Sequence, residues 1–175
     1  MPFVEGSHRS VEGGLGVADN PFSDIELARH FMMKTSARNQ LTGTVAAIDN
    51  GAVNDVIQLD IQGGQRLTAT VTHESTKTLG LTVGKSAFAL IKASSVIIGV
   101  PDDSTRLSAR NQLKGTVSNV KRGAVNAEVS VQLDGGNVIV SIITNGSLDA
   151  LQLHEGMTVV AIIKASSIIV GTSDP

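Results

Sequence analysis

Hydrophobic and polar residues alternate in two separate stretches of the chain. Apolar residues at positions 57, 59 and 61 are separated by polar ones, and the same alternation returns at positions 129, 131 and 133. A period of two is typical of a β-strand with one buried face. A Gly-Gly pair follows each stretch, at residues 63–64 and 135–136, and a second apolar stretch follows each pair. Because glycine readily takes the positive φ of a tight turn, the pattern predicts a β-hairpin in each half of the chain.

The two halves of the chain are copies of one another. Residues 36–100 align with residues 108–172 at a constant offset of 72 positions without a gap, and 28 of the 65 aligned positions are identical. The identities include three blocks, SARNQL, GAVN and KASS, which occur in the same order in both copies. The sequence therefore predicts two tandem modules of about 65 residues each.

Each module is predicted to contain about five strands and one short helix. Thr72 and Thr144 are suited to N-cap that helix, and Gly80 is suited to end its first copy. Two further apolar stretches follow the helix in each module, at residues 86–91 and 96–98 and again at 159–163 and 168–170. Five short strands around one helix favour an all-β fold with two tandem OB-like Greek-key β-barrels. A module this small buries little surface, so we expect apolar contacts between modules or subunits.

The domain organisation follows from the repeat. The first module is assigned to residues 33–100 and the second to residues 107–172, with a short polar linker at residues 101–106. Residues 6–16 are glycine-rich and poor in apolar residues, and we predict that residues 1–32 form a leader that is disordered or derived from cloning. Within it, only residues 23–32 have the pattern of a short helix, with Ser23 and Glu26 as a capping box.

The composition excludes several classes of protein. The chain has no Cys, Trp or Tyr and only four Phe among its 175 residues. Zinc fingers, iron–sulfur proteins, disulfide-stapled domains and cysteine-dependent enzymes each need a residue that is missing.

A net charge of −2 gives no long-range attraction for nucleic acid or an anionic membrane. No apolar stretch reaches the roughly 18 residues of a membrane span and no secretion signal is present, so we predict a cytoplasmic protein with neither nucleic acid nor membrane as a partner.

The constellations that carry catalysis or bind metal cations are missing from the repeats. The four His residues do not match across the two copies, and no pair of acidic residues is duplicated. We therefore predict no metal-cation site. Acid–base and acyl-transfer chemistry lack their usual residues as well, and we expect no enzyme activity.

The polar identities between the copies are the candidates for a binding site. The SAR and KASS segments supply cations, hydroxyl donors and small alanines that let backbone N–H groups approach a ligand. Such donors suit a small tetrahedral oxyanion, whose buried charge needs fixed donors and nearby cations. Basic side chains that are simply solvated remain the alternative interpretation. The candidate residues are Ser36, Ala37, Arg38, Lys92, Ala93 and Ser94 in the first module, and Ser108, Ala109, Arg110, Lys164, Ala165 and Ser166 in the second.

Two further duplicated groups have both a structural and a functional interpretation. One is a T-x-x-S motif at the predicted helix start, whose hydroxyl groups either cap the helix or face an anion together with its free N–H groups. The other is GAVN, which suits a turn through its Gly and Asn and is also a candidate for a second type of site. The residues are Thr72, Ser75, Thr144 and Ser147 for the first group, and Gly51, Ala52, Val53, Asn54, Gly123, Ala124, Val125 and Asn126 for the second.

In SARNQL, GAVN and KASS the chain resembles the Mop module, a molybdate-binding relative of the TOBE domain, and two tandem copies are similar to the di-Mop molbindins. The resemblance implies OB-like barrels that exchange strands between modules, a homotrimer, and cytoplasmic storage or buffering of molybdate or tungstate without catalysis or an organic cofactor. It also implies oxyanion sites at inter-module and inter-subunit interfaces. The SAR and KAS residues would form them, the T-x-x-S hydroxyls of another module would complete them, and GAVN would line sites near the threefold axis.

One position departs from this pattern, and one other function stays open. His73 and Glu74 stand where the second module has Asn145 and Gly146, and a carboxylate that faces the ligand would repel a dianion. The two modules are therefore not expected to offer identical sites. The alternative function is that of a detached molybdate-sensing regulatory module, the TOBE domain of a transcriptional regulator or of a transporter ATPase, which acts through a protein partner.

Overall fold

The computed structural model describes residues 34–102 and 104–173, so the predicted leader and its helix at residues 23–32 lie outside the described part of the chain. Both repeats belong to one structural unit, Lys34–Pro175. The first module comprises β1 (Asn39–Asp49), β2 (Asn54–Ile61), β3 (Arg66–Thr72), α1 (His73–Thr78), β4 (Ser86–Ile91), a 3₁₀ helix (Ala93–Ser95) and β5 (Val96–Gly99). The second comprises β6 (Asn111–Arg122), β7 (Asn126–Leu133), β8 (Val138–Thr144), α2 (Asn145–Ala150), β9 (Thr158–Ile163), a 3₁₀ helix (Ala165–Ser167) and β10 (Ile168–Gly171).

The strands form two five-stranded antiparallel sheets. Each sheet has one edge strand from the other module, namely the final strand of that module. Their orders are β10-β4-β1-β2-β3 and β5-β9-β6-β7-β8. Ile168 of β10 lies opposite Ile91 of β4, and Val96 of β5 lies opposite Ile163 of β9. β10 also packs beside β3, and β5 beside β8, so each sheet curves towards closure. The predicted all-β fold, with barrel-like sheets and one short helix per module, is confirmed.

The core is aliphatic and is shared by the two modules. The alternating residues of β2 and β7 are buried, as their period of two predicts. They belong to one continuous cluster of apolar side chains from both sheets. Phe88, an aromatic residue of the repeats, lies across Gly171 of β10, where an added Cβ would come within 2.3 Å of the ring. Burial of apolar area thus stabilises the pair of modules as one body.

The two Gly-Gly turns meet back to back. Gly63 and Gly135 have φ values of +86° and +87°, which confirms the predicted turn conformation. A Cβ built on Gly135 would lie 2.1 Å from the Cα of Gly63, so the two backbones are in direct contact. Asn137 Nδ2 donates a hydrogen bond to the carbonyl of Gln62 across the same contact, at 2.7 Å. Glycine is required here by both conformation and space.

The helix ends follow the predicted capping pattern. The Thr72 hydroxyl accepts a hydrogen bond from the N–H of Ser75 at 3.1 Å, and Thr144 caps α2 through Ser147 at the same distance. The left-handed residue that follows α1 is Gly80, with a φ of +56°. At the equivalent position after α2 stands Gln152, with a φ of +51°. The second module therefore places a side chain in a conformation that glycine adopts more readily.

Gln152→Gly is expected to stabilise the protein by about 0.5–1 kcal/mol, because relief of left-handed strain outweighs the added flexibility of the unfolded chain. Urea unfolding of the two proteins measures the difference. The converse change, Gly80→Ala, is expected to destabilise by a similar amount. A Gln152→Gly protein that is less stable than the parent would contradict this explanation.

Candidate functional site

The structure brings the SAR and KAS segments of each module together. Asn39 is the first residue of β1 and pairs with Ile91, the last residue of β4. Arg38 precedes Asn39 and Lys92 follows Ile91, so the two basic residues lie at the same end of the two strands. The second module repeats the arrangement, because Asn111 pairs with Ile163. Each module thus presents two exposed basic residues side by side, at the ends where the resemblance predicted a site.

The other module covers this end of each sheet. The 3₁₀ helix Ala93–Ser95 packs against β8, and its counterpart Ala165–Ser167 packs against β3. Ala93 and Ala165 are buried in these contacts, whereas the neighbouring Ser94 and Ser166 stay exposed. β3 and β8 continue directly into the capped helix starts. The predicted SAR, KAS and T-x-x-S groups therefore lie along two related inter-module contacts.

Two asparagines that had no predicted role join the modules at these contacts. The buried Asn39 amide donates to the carbonyl of Val140 at 2.8 Å, and its Oδ1 accepts the N–H of Val140 at 2.7 Å. Asn111 bonds the backbone of Thr68 in the same way, at 2.8 and 2.7 Å. Thr68 and Val140 are equivalent positions of β3 and β8, so the two contacts are related by the repeat. Identity of Asn in both copies was the available signal in the sequence.

Arg38 reaches across to the second module. Its guanidinium forms an ion pair with Glu128 of β7, with an Nη1–Oε2 distance of 2.5 Å. Glu128 lies opposite Ile142 of β8, two residues before Thr144. The carboxylate that pairs with Arg38 therefore lies on the strand pair that leads into α2. Among the described residues, Arg110 has no ion-pair partner.

The T-x-x-S hydroxyl groups are engaged with one another. The Thr72 and Ser75 oxygens are 2.7 Å apart, and the Thr144 and Ser147 oxygens are 2.9 Å apart. All four groups lie near the surface at a helix start, where the helix N–H groups are also concentrated. Their capping role is confirmed, and their predicted role as ligand donors stays a prediction.

The GAVN segments form exposed loops beside these helix starts. They connect β1 to β2 and β6 to β7, and the side chains of Val53 and Val125 are 72% and 74% exposed. The N–H of His73 donates to the carbonyl of Val53 at 2.9 Å, and Asn145 donates to Val125 at 3.1 Å. GAVN therefore adjoins the T-x-x-S motif of its own module. Within the described part of the chain, no hydrogen bond joins it to the SAR or KAS segments.

A buried carboxylate holds the GAVN loop of the first module only. The Asp55 side chain has no exposed surface, accepts the N–H of Gly51 at 3.0 Å and lies 3.0 Å from Nδ1 of His73. A hydrogen bond from Thr76, aided by those from His73 and Gly51, lowers the pKa of Asp55 below its usual value.

The second module has Ala127, Asn145 and Leu148 where the first has Asp55, His73 and Thr76. There Asn145 Nδ2 donates to the carbonyl of Gly123 at 3.0 Å instead. The carboxylate network is therefore specific to one module. Sequence analysis set both Asp55 and His73 aside, because neither has a counterpart in the other copy, and so their pairing was missed.

This carboxylate gives the first module a pH-dependent stability. The pKa of Asp55 is lower in the folded state than in the unfolded state. Its contribution to the free energy of unfolding is therefore complete at pH values above the unfolded-state pKa, and it is lost as the pH falls towards the folded-state pKa. The triple change Asp55→Ala, His73→Asn and Thr76→Leu copies the second module. We expect its free energy of unfolding to fall less steeply than that of the parent below about pH 4.5. The free energy of unfolding is measured by urea titration at each pH. If it falls equally with pH in the two proteins, Asp55 contributes nothing to the pH dependence.

The described residues, 34–102 and 104–173, contain neither a cluster of metal ligands nor a membrane-spanning helix. No group of three or more His, Cys, Asp or Glu side chains is arranged to hold a metal ion. None of the helices has the length and apolar character that a membrane span requires.

Comparison with known proteins gives one family. The model of the TOBE domain matches residues 35–98 and 107–170, one match for each module. The chain is 44% identical over 144 residues to the molybdenum transport protein ModE of Herbaspirillum seropedicae, covering 82% of this chain and 54% of that protein. It is 39% identical over 159 residues to the molybdenum-pterin-binding protein MopA of Rhodobacter capsulatus, covering 91% of this chain and 59% of that protein. The chain thus spans little more than half the length of these curated relatives.

A solved structure extends the likeness to nearly the whole of another protein. The cytoplasmic molybdate-binding protein ModG, with molybdate bound, superposes with a TM-score of 0.78 at 45% sequence identity. The match covers 80% of this chain and 99% of ModG. Both repeats are thereby accounted for in sequence and in fold. The chain belongs to the TOBE family and carries two TOBE domains in tandem, the arrangement of a di-Mop molbindin.

Proposed function

We propose that the protein binds molybdate, and tungstate as its close analogue, reversibly and without catalysis. The observation that carries the proposal is the pairing of SAR with KAS at each inter-module contact. Arg38 with Lys92, and Arg110 with Lys164, place two cations at one strand end beside the other module. A tetrahedral dianion is stabilised by such paired cations, supplemented by hydroxyl and backbone N–H donors. The names of ModG and MopA support the choice of ligand.

The remaining donors fit the same proposal. The T-x-x-S hydroxyls of Thr72, Ser75, Thr144 and Ser147 would complete sites between modules or between subunits of a homotrimer. The exposed GAVN loops would line a second type of site where subunits meet. Since a ligand held between subunits binds only the assembled form, loading and assembly would stabilise one another. The protein would then store or buffer the oxyanion in the cytoplasm.

A regulatory role is the second candidate. It is favoured by the match to ModE proteins, of which the chain covers about half the length, and by the description of one of them as a transcriptional regulator. In that role the same oxyanion sites would report the concentration of ligand to a protein partner. Both roles rest on binding at the same residues, so the binding test comes first.

Arg38→Ala and Arg110→Ala are each expected to weaken molybdate binding at the affected site by about 1.5–3 kcal/mol, or roughly 10- to 150-fold. The reason is the loss of a charged donor to a dianion. Equilibrium dialysis with elemental analysis of bound molybdenum measures the effect. Arg66→Ala is the matched control, because this guanidinium bonds Asp60 and Gln58 at the far end of β3. Unchanged affinity in both test variants would remove these arginines from the sites.

A further inference from the structure

The two inter-module contacts differ in one charged residue. Glu128 pairs with Arg38, and at the offset of 72 positions its counterpart in the first module is Val56. The surrounding contacts are otherwise related by the repeat, since Asn39 bonds Val140 just as Asn111 bonds Thr68. The place beside Arg110 that corresponds to Glu128 therefore holds an apolar side chain.

The partial burial of Glu128 strengthens the electrostatic effect of its carboxylate on nearby ions. Its side chain is only 23% exposed, whereas that of Arg38 is 58% exposed. Lys121 and Ile142 lie opposite it on the neighbouring strands, and the corresponding neighbours of Val56 are Asp49 and Thr70. A partly buried carboxylate is screened less by water and salt than a fully exposed one. It therefore acts strongly on any anion that approaches Arg38.

We propose that Glu128 makes the two oxyanion sites unequal, by lowering the affinity of the Arg38 site relative to that of the Arg110 site. The carboxylate pairs with the guanidinium that the ligand needs. A dianion must displace it and then bind close to a like charge, which costs Coulomb energy that the other site does not incur. This inference rests on the proposed function and adds a consequence, namely that each chain fills in two steps.

The other charges near the two sites do not cancel this difference. Lys92 and Lys164 are equivalent and contribute to both sites alike. Lys121 beside Glu128 and Asp49 beside Val56 are both exposed, so water and salt screen their charges more than that of Glu128. Glu74 on α1 belongs to the first module only, but it is exposed and forms no ion pair with Arg110 among the described residues. Exposure to water screens Glu74 more effectively than Glu128. Glu128 is thus the carboxylate in direct contact with a cation of a predicted site.

The test is a calorimetric titration of the full chain with molybdate, comparing the parent with Glu128→Gln. The variant keeps the shape of the side chain and removes its charge. We expect the weaker binding step to tighten by at least roughly fivefold, with the stronger step unchanged. Glu155→Gln removes an exposed carboxylate elsewhere and is expected to leave both steps unchanged. Gln has nearly the same volume as Glu, and the Arg38 side chain is 58% exposed and stays hydrated without its partner, so the variant is expected to remain folded.

A reciprocal variant tests the same claim from the other side. The single change Val56→Glu places a carboxylate at the position of the first module that corresponds to Glu128. It is expected to weaken the stronger step by at least roughly fivefold and to make the two steps similar. A parent chain that binds no molybdate would overturn the proposed function. A parent that binds, with a Glu128→Gln variant of unchanged or weaker affinity, would overturn only the inference about Glu128.

Discussion

Replacing Gly135 with Ala is expected to lower the free energy of unfolding by about 3 kcal/mol or more. The residue has a φ of +87°, where an L side chain is strained by about 1–2 kcal/mol. Its new Cβ would lie 2.1 Å from the Cα of Gly63 in the opposing turn. Backbone cannot move aside as a flexible side chain does, so the two turns must separate, which adds a cost like that of overpacking, about 1–3 kcal/mol.

The neighbouring glycine supplies a matched control for this prediction. Gly136 has a φ of +99°, but a Cβ built there meets no atom within 4 Å. Gly136→Ala is therefore expected to cost only the conformational strain, about 1–2 kcal/mol. Urea unfolding of both variants isolates the contact between the turns as their difference. Equal losses at the two positions would mean that the turns do not press against one another.

Asn39→Ala is expected to destabilise the protein by about 3 kcal/mol. Its amide donates to the carbonyls of Ile91 and Val140 at 3.2 and 2.8 Å and accepts the N–H of Val140 at 2.7 Å. Each hydrogen bond contributes about 1 kcal/mol, and the truncated side chain leaves backbone groups of the inter-module contact without a partner. The change therefore acts on the contact between the modules as well as on β1.

The adjacent position provides the control for Asn39. Gln40 makes one local hydrogen bond, from its amide to the carbonyl of Ala37 at 3.4 Å. Gln40→Ala is expected to change stability by less than about 0.5 kcal/mol, as substitutions without strong contacts do. Thermal unfolding of Asn39→Ala, Asn111→Ala and Gln40→Ala measures the series. Loss of stability in the Gln40 variant equal to that of Asn39 would argue against the bridging role.

The elements of each module could be predicted because their signals are local. Alternation defines β2 and β7, the Gly-Gly pairs define the hairpin turns, and a threonine three residues before a serine defines each helix start. The assignment of β5 and β10 to the opposite sheets could not be predicted from periodicity. Their apolar pattern is satisfied by either sheet, and the choice depends on contacts between residues about 70 positions apart.

The candidate site was predictable to the extent that its residues are duplicated. Exact repetition of Arg38 and Lys92 as Arg110 and Lys164 drew attention to the ends of β1 and β4. The residues that differ between the modules are not duplicated, so the repeat did not mark them as candidates. Asp55 with His73, and Glu128 with Arg38, are pairs whose members lie far apart in sequence. Only the folded arrangement shows that Asp55 meets His73 and that Glu128 meets Arg38.

We expect the tandem TOBE domains to form selective sites for a tetrahedral molybdate ion. Calorimetric titration of the full chain with molybdate, repeated in the presence of sulfate and of phosphate, tests it most directly. We predict saturable binding of molybdate that an equal concentration of either competitor does not prevent. A titration without saturable binding, or sulfate that binds as tightly as molybdate, would contradict the account.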